Sequence, residues 1–169
     1  LVVLTACGGG GGSVDSPRTF TFGPYHLEPS QEIADMCVSA TLDNDTELAI
    51  NAVELDTATG FHHSNWFFVP DNLYAGPDGT WNCDDRHFDQ ANAASAGGVL
   101  FAQSTQSPHE VQKFPDGVAV VIPPHSKIVA TTHLLDSGDN PLDVPLSITL
   151  TPIGDVTTRL AGMSFENVG

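Results

Sequence analysis

Apolar and polar positions alternate along most of this chain with a period of two. "TFTFGPY" (19–25) opens with this alternation, Phe20 and Phe22 standing between threonines. "DMCVSATLD" (35–43), "TELAINAVELD" (46–56) and "GFHHSNWFFVP" (60–70) are strand-length runs of β-branched, apolar or aromatic residues. "GVAVVIPP" (117–124), "SKIVATTHLL" (126–135), "VPLSITLTPI" (144–153) and "RLAGMSFENV" (159–168) have the same character. Turn chemistry separates them: Asp43-Asn44-Asp45, Pro70-Asp71-Asn72, Gly76-Pro77-Asp78-Gly79, and Asp136 through Pro141. One segment, "DQANAASAGG" (89–98), predicts a short helix closed by Gly97-Gly98. Many short strands with Gly, Pro, Asn and Asp turns predict an all-β chain. The architecture expected is a single-domain antiparallel β-sandwich of jelly-roll type.

Length and charge narrow the function. At 169 residues the chain is one domain by length and long enough to bury a core. Lys plus Arg number 5 against 21 Asp plus Glu, a formal net charge of -16. Such a field repels a nucleic-acid backbone and anionic lipid; it suits cations, or serves solubility alone.

The first residues read as a targeting segment rather than as fold; the alternatives are a truncated ordinary secretory signal or a chance apolar start. "LVVLTACGGGGG" is an apolar run that ends in small residues before Cys7, followed by a glycine spacer. Leu4-Thr5-Ala6-Cys7 resembles the bacterial lipobox, which implies cleavage before Cys7 and lipidation of its thiol. Residues 1–18 are therefore expected to be a partial lipoprotein signal peptide and Gly-rich tether, and residues 19–169 the folded domain. The acyl chains would anchor the protein to a membrane without a spanning helix. The expected location is the bacterial cell envelope, periplasmic or at the cell surface. Export brings an oxidising compartment. With Cys7 lipidated, Cys37 and Cys83 remain as an even pair, and a disulfide is their natural pairing; the alternative is two unrelated thiols.

Seven histidines are spread along the chain. His26, His87, His109 and His125 stand in loop-like or turn-like contexts and read as solvated side chains. His62, His63 and His133 stand inside apolar strand-like runs, where an imidazole is costly to bury without partners. Three neutral imidazoles with an open fourth position suit copper or zinc, not magnesium or calcium. Neighbouring residues on a regular strand point to opposite faces, so His62 and His63 can share an ion only if the strand is irregular between Phe61 and Ser64. Otherwise one ring faces inward, one outward, and no ion is held.

The order of features resembles a known family. Cys37 heads a strand; "HHSNWFF" follows; then comes "TWNCDDRHFDQANAASAGGVLFAQS". "KFPDGVAVVIPPHSKIVATTHLLDSG" and "DVPLSITLTPIGDVTTRLAGM" complete the series. Over residues 20 to 166 this is similar to the N-terminal domain of the copper type II, ascorbate-dependent monooxygenases. That family includes peptidylglycine α-hydroxylating and dopamine β-monooxygenases. The resemblance implies an oxidoreductase β-sandwich in which His62, His63 and His133 bind one copper. It also places Cys37 and Cys83 on a disulfide pair. The family commonly has further cysteines near the positions of Val69 and Phe88, so this chain is a leaner member. The family's second domain supplies a His-x-His motif and a Met for another copper, where oxygen and a small-molecule or peptide substrate react. No His-x-His occurs here, and Met36 and Met163 belong to the first domain's pattern. The resemblance thus implies a fragment of a longer protein, with a second copper domain downstream and a reductant such as ascorbate as electron donor. Two rivals stand beside it. One is an envelope lipoprotein domain that delivers or stores copper without catalysis. The other is a metal-free structural or carbohydrate-binding sandwich with Trp66, Trp81 and Tyr74 as stacking residues.

Overall fold

The structure, a computed structural model, describes residues 16–103 and 105–160. The lipobox with Cys7, the segment 161–169 and Met163 lie outside these residues. The alternating runs form strands where the pattern predicts them: β1 (Arg18–Leu27), β2 (Glu32–Thr41), β3 (Leu48–Asp56) and β4 (Phe61–Pro70). β5 (Gly79–Asn82) leads into a 3₁₀ turn at Cys83–Arg86 and the helix α1 (Gln90–Ala96). β6 (Gly98–Gln103), β7 (His109–Lys113), β8 (Val118–Ile122), β9 (Ser126–Leu135), β10 (Leu142–Pro152) and β11 (Thr158–Arg159) follow. The short strands β5, β6 and β7 were not legible as separate strands. Each has too few residues to show a period.

Two sheets pack face to face. One has the order β1-β10-β3-β8-β11, with β7 also on β3; the other has β5-β2-β9-β4-β6. Every pairing is antiparallel among the described residues except the two-residue contact of β11 with β8. The four-strand cores, β1-β10-β3-β8 and β2-β9-β4-β6, are filled by a chain that crosses repeatedly between sheets. This is the jelly-roll order of a double-sheet sandwich.

The main core lies between the sheets. Phe22, Val38, Ile50, Leu55, Phe61, Trp66, Ile128, Leu134, Leu146 and Ile148 meet there. A second cluster covers part of the outer face of the β5-β2-β9-β4-β6 sheet and is built from Cys37, Phe67, Val69, Tyr74, Trp81, Ala93, Ala94 and Val129. The helix α1 roofs it. Asp89 caps the helix by accepting from the Asn92 amide at 2.7 Å. Gly97 ends the helix where a Cβ would stand 1.8 Å from the Phe68 carbonyl oxygen, so only glycine lets α1 approach β4 this closely.

Because β4 is buried on both faces along part of its length, its sequence runs Trp66-Phe67-Phe68-Val69 without alternation. Val69 and Phe88 both belong to the outer cluster, the Phe88 ring lying tilted with its centroid 6.1 Å from that of Phe67 and 5.1 Å from that of Tyr74. Apolar packing holds these positions together. Trp66, Trp81 and Tyr74 are all buried, with Trp66 bonding to Ser64 Oγ and Trp81 to Ser39 Oγ. They are core residues and offer no exposed stacking platform. Cys37 and Cys83 form a disulfide that ties β2 to the 3₁₀ turn across a separation of 46 residues.

Candidate metal centre

The site is built where three strands of the second sheet run side by side. β9 is central, with β2 on one side and β4 on the other. Phe61 pairs with Leu134 and His63 with His133, so His62 is an extra residue opposite no partner. This β-bulge changes the parity of the strand. Phe61 before it and Trp66 and Phe68 after it all reach the main core, which a regular strand could not achieve. The two residues at the switch, His62 and His63, are both half-buried and both face His133. The irregularity expected between Phe61 and Ser64 is present, and it is what brings the rings to one side.

The three rings form a compact triangle. Centroids are 5.1 Å apart for His62 and His63, 4.7 Å for His62 and His133, and 4.8 Å for His63 and His133. One nitrogen from each ring lies within 4.8 Å of the others. Nδ1 of His62 and Nδ1 of His63 are 2.9 Å apart, so in the neutral pair one donates and the other accepts. His133 Nε2 is 2.7 Å from Glu32 Oε1. His63 has its pKa pushed below the usual imidazole value, first by burial and then by the neighbouring His133 and His62. That favours the neutral ring, the form with a lone pair to give to a metal.

The chemistry of the donor set fits a borderline metal. Three imidazole nitrogens, no thiolate and no carbonyl cage match copper or zinc. All three histidines are partly covered, the His133 side chain 17% exposed. A cleft of about 450 Å³ opens beside His62, lined among others by Thr59, Leu135, Asp136 and Leu142. Gly60 sets the entry to β4 at φ +98°, and a Cβ there would stand 2.6 Å from a Leu142 methyl and 2.8 Å from a Val144 methyl. Its carbonyl accepts from the Leu135 amide at 2.7 Å, which pins the start of β4 to the end of β9.

No family model matches this chain, and no curated protein matches it. Among solved structures, it is similar to the VP2 subviral particle of infectious bursal disease virus at 14% identity and a TM-score of 0.29. That likeness covers 82% of this chain and 33% of the viral one. A structure of the Gx strain of the same virus is similar at 13% identity and a TM-score of 0.29, over the same shares of the two chains. The chain spans about a third of the length of these viral chains.

The remaining histidines stand elsewhere. His87 closes the 3₁₀ turn and His125 sits in the turn before β9, both with positive φ. His26 and His109 are in strands rather than loops, though exposed. His26 Nδ1 is 2.9 Å from Asp143, and His109 Nδ1 is 2.7 Å from Asp56. Glu54, Asp56 and His109 also bring one ligand atom each within 4.8 Å of one another, on the opposite sheet. Both carboxylates there are well exposed. Sequence reasoning did not single out Glu32. Its only signal is its place at the start of the strand that pairs with the His133 strand.

Proposed function

We propose that this chain is the copper-binding electron-transfer domain of a copper-dependent monooxygenase that hydroxylates an aliphatic carbon with O2 and a reductant such as ascorbate. The observation that carries the reading is the convergence of His62, His63 and His133 through a bulge at His62. Copper in this site would supply one-electron chemistry, alternating between Cu(I) and Cu(II). The histidines present neutral nitrogen donors, and an all-imidazole set serves both oxidation states with modest rearrangement. The strongly acidic surface attracts the cation. The cleft beside His62 would give a reductant access to the site. In this reading the substrate, a small molecule or a peptide, reacts at a second copper domain. The lipobox-like Cys7 adds an exported, lipid-anchored protein of the bacterial envelope.

All three histidines come from one sandwich, so an envelope domain that only stores or delivers copper would use the same site. The downstream coding sequence separates the two readings: a His-x-His motif and a later Met favour the monooxygenase. Copper stoichiometry of the purified chain tests both. One copper per chain is expected, with affinity reduced at least about tenfold by His62→Ala, His63→Ala or His133→Ala. Unchanged copper content in all three variants ends the copper reading. Ascorbate should reduce the bound copper in this chain alone, with no hydroxylated product; hydroxylation by the isolated chain contradicts the electron-transfer role.

A further inference from the structure

The strand β2 is distorted where it passes His133. Ile33 pairs with Leu134 and Met36 with Thr132, so Ala34 and Asp35 together face the single residue His133. His133 is therefore flanked by irregular backbone on both sides, the β4 bulge and the β2 bulge. Just before the second bulge, Glu32 pairs with Leu135. Ile33 and Leu134, one position on, both point into the main core. Glu32 and Leu135 thus share the outer face with His133, and Glu32 is its diagonal neighbour, a distance a glutamate can span.

The Glu32 carboxylate meets the His133 ring at 2.7 Å, within charge-assisted hydrogen-bond range. The residue before it is held as well. The Gln31 carbonyl accepts from the Asp136 amide at 2.9 Å, and the Gln31 side chain accepts from the Glu28 amide at 2.8 Å. With Nε2–H donating to Glu32, the nitrogen of His133 left with a free lone pair is Nδ1. The Nδ1 atoms of His62 and His63 already face each other.

We propose that Glu32 is the positioning residue of the metal centre: it fixes the tautomer and rotation of His133 so that Nδ1 is offered to copper. This rests on the copper reading of the three histidines. It also assigns the centre a fixed negative charge outside the ligand set. That charge favours Cu(II) over Cu(I), because the more highly charged ion gains more from it.

The test uses the full chain with Glu32→Ala, Glu32→Gln and Glu32→Asp. The Glu32 side chain is 58% exposed, so its loss leaves the core intact. In metal-free wild-type protein at about pH 8, above the ordinary imidazole range, nitrogen-15 spectra of the rings should show His133 as the Nε2–H tautomer. Glu32→Ala should give a mixture, and Glu32→Asp should restore part of the preference. Titrated with Cu(II) alone, Glu32→Ala should bind about 10–100-fold more weakly. Its Cu(I) affinity should fall less, which moves the reduction potential upward. Glu32→Gln should keep most of the tautomer preference, since an amide oxygen also accepts, yet show the upward shift in potential. An unchanged His133 tautomer in Glu32→Ala, or Cu(II) affinity within about twofold of wild type, overturns the role of Glu32. Wild-type protein that binds no copper overturns the copper reading beneath it.

Discussion

At the scale of single residues, neighbouring chemistry decides what each histidine does. His63 and His109 both sit on strands, yet they shift in opposite directions. Burial and two further imidazoles lower His63, whereas a hydrogen bond to Asp56, with the charges of Asp56 and Glu54, raises His109. A raised histidine is protonated more readily in the folded chain than in the unfolded one. Its contribution to stability is fully present below the ordinary value of about 6.5 and is lost as pH rises through the raised folded value. Proton NMR of the His109 ring should therefore show a midpoint above about 6.5. Asp56→Asn should move it back down, while an unmoved midpoint removes Asp56 as the cause. The pair is exposed, so the accompanying change in stability is small. Sequence placed His109 among the solvated histidines, which its exposure bears out, but the partner on β3 lies 53 residues away and has no local signature.

At the scale of elements, irregularities shape the candidate site and the fold alike. The bulge at His62 is partly legible once the faces are known: Phe61 and Trp66 cannot both be inward on a regular strand, because five positions reverse the parity. The sequence conceals this because Phe67 and Val69, on the other face, are equally apolar and are buried under α1. A comparable device stands in β3. Its edge is shared by β8 over Leu48–Ile50 and by β7 over Ala52–Asp56. Asn51 occupies the fork, 5% exposed, with Nδ2 2.7–3.2 Å from the carbonyls of Phe114, Pro115 and Val118. Removing that amide takes away the buried donor that serves these part-buried carbonyls. Asn51→Ala should cost about 1–3 kcal/mol, read as a lower urea midpoint with an unchanged slope. A variant within about 0.5 kcal/mol of wild type would show that water replaces the amide. A lone asparagine in "ELAINAVELD" gives no hint of this, since its three acceptors all come from one distant turn.

At the scale of the whole molecule, one covalent link and one charge imbalance act on the entire chain. The Cys37–Cys83 disulfide closes a loop of 46 residues. In the chain-entropy model it contributes about 4 kcal/mol by restricting the unfolded ensemble. Replacing both cysteines by serine should lower the melting temperature by about 10 °C or more, measured by calorimetry under non-reducing conditions. Equal melting temperatures for the two proteins would remove the link from the stability of the fold. The sequence by itself determined the class of fold, because strand periodicity and turn chemistry are local properties of the chain. It also offered the Cys37–Cys83 pairing as an expectation, which the structure shows, and marked three histidines worth watching, which stand out as polar groups in apolar strands. Only the tertiary structure decided that these histidines meet. Their meeting depends on a bulge that flips the parity of β4, on register with a strand 70 residues later, and on two sheets that bury different faces. Glu32 joins them from 101 residues away for the same reason. Register and parity are set by packing across the sandwich, and that information is not held in any one stretch of sequence.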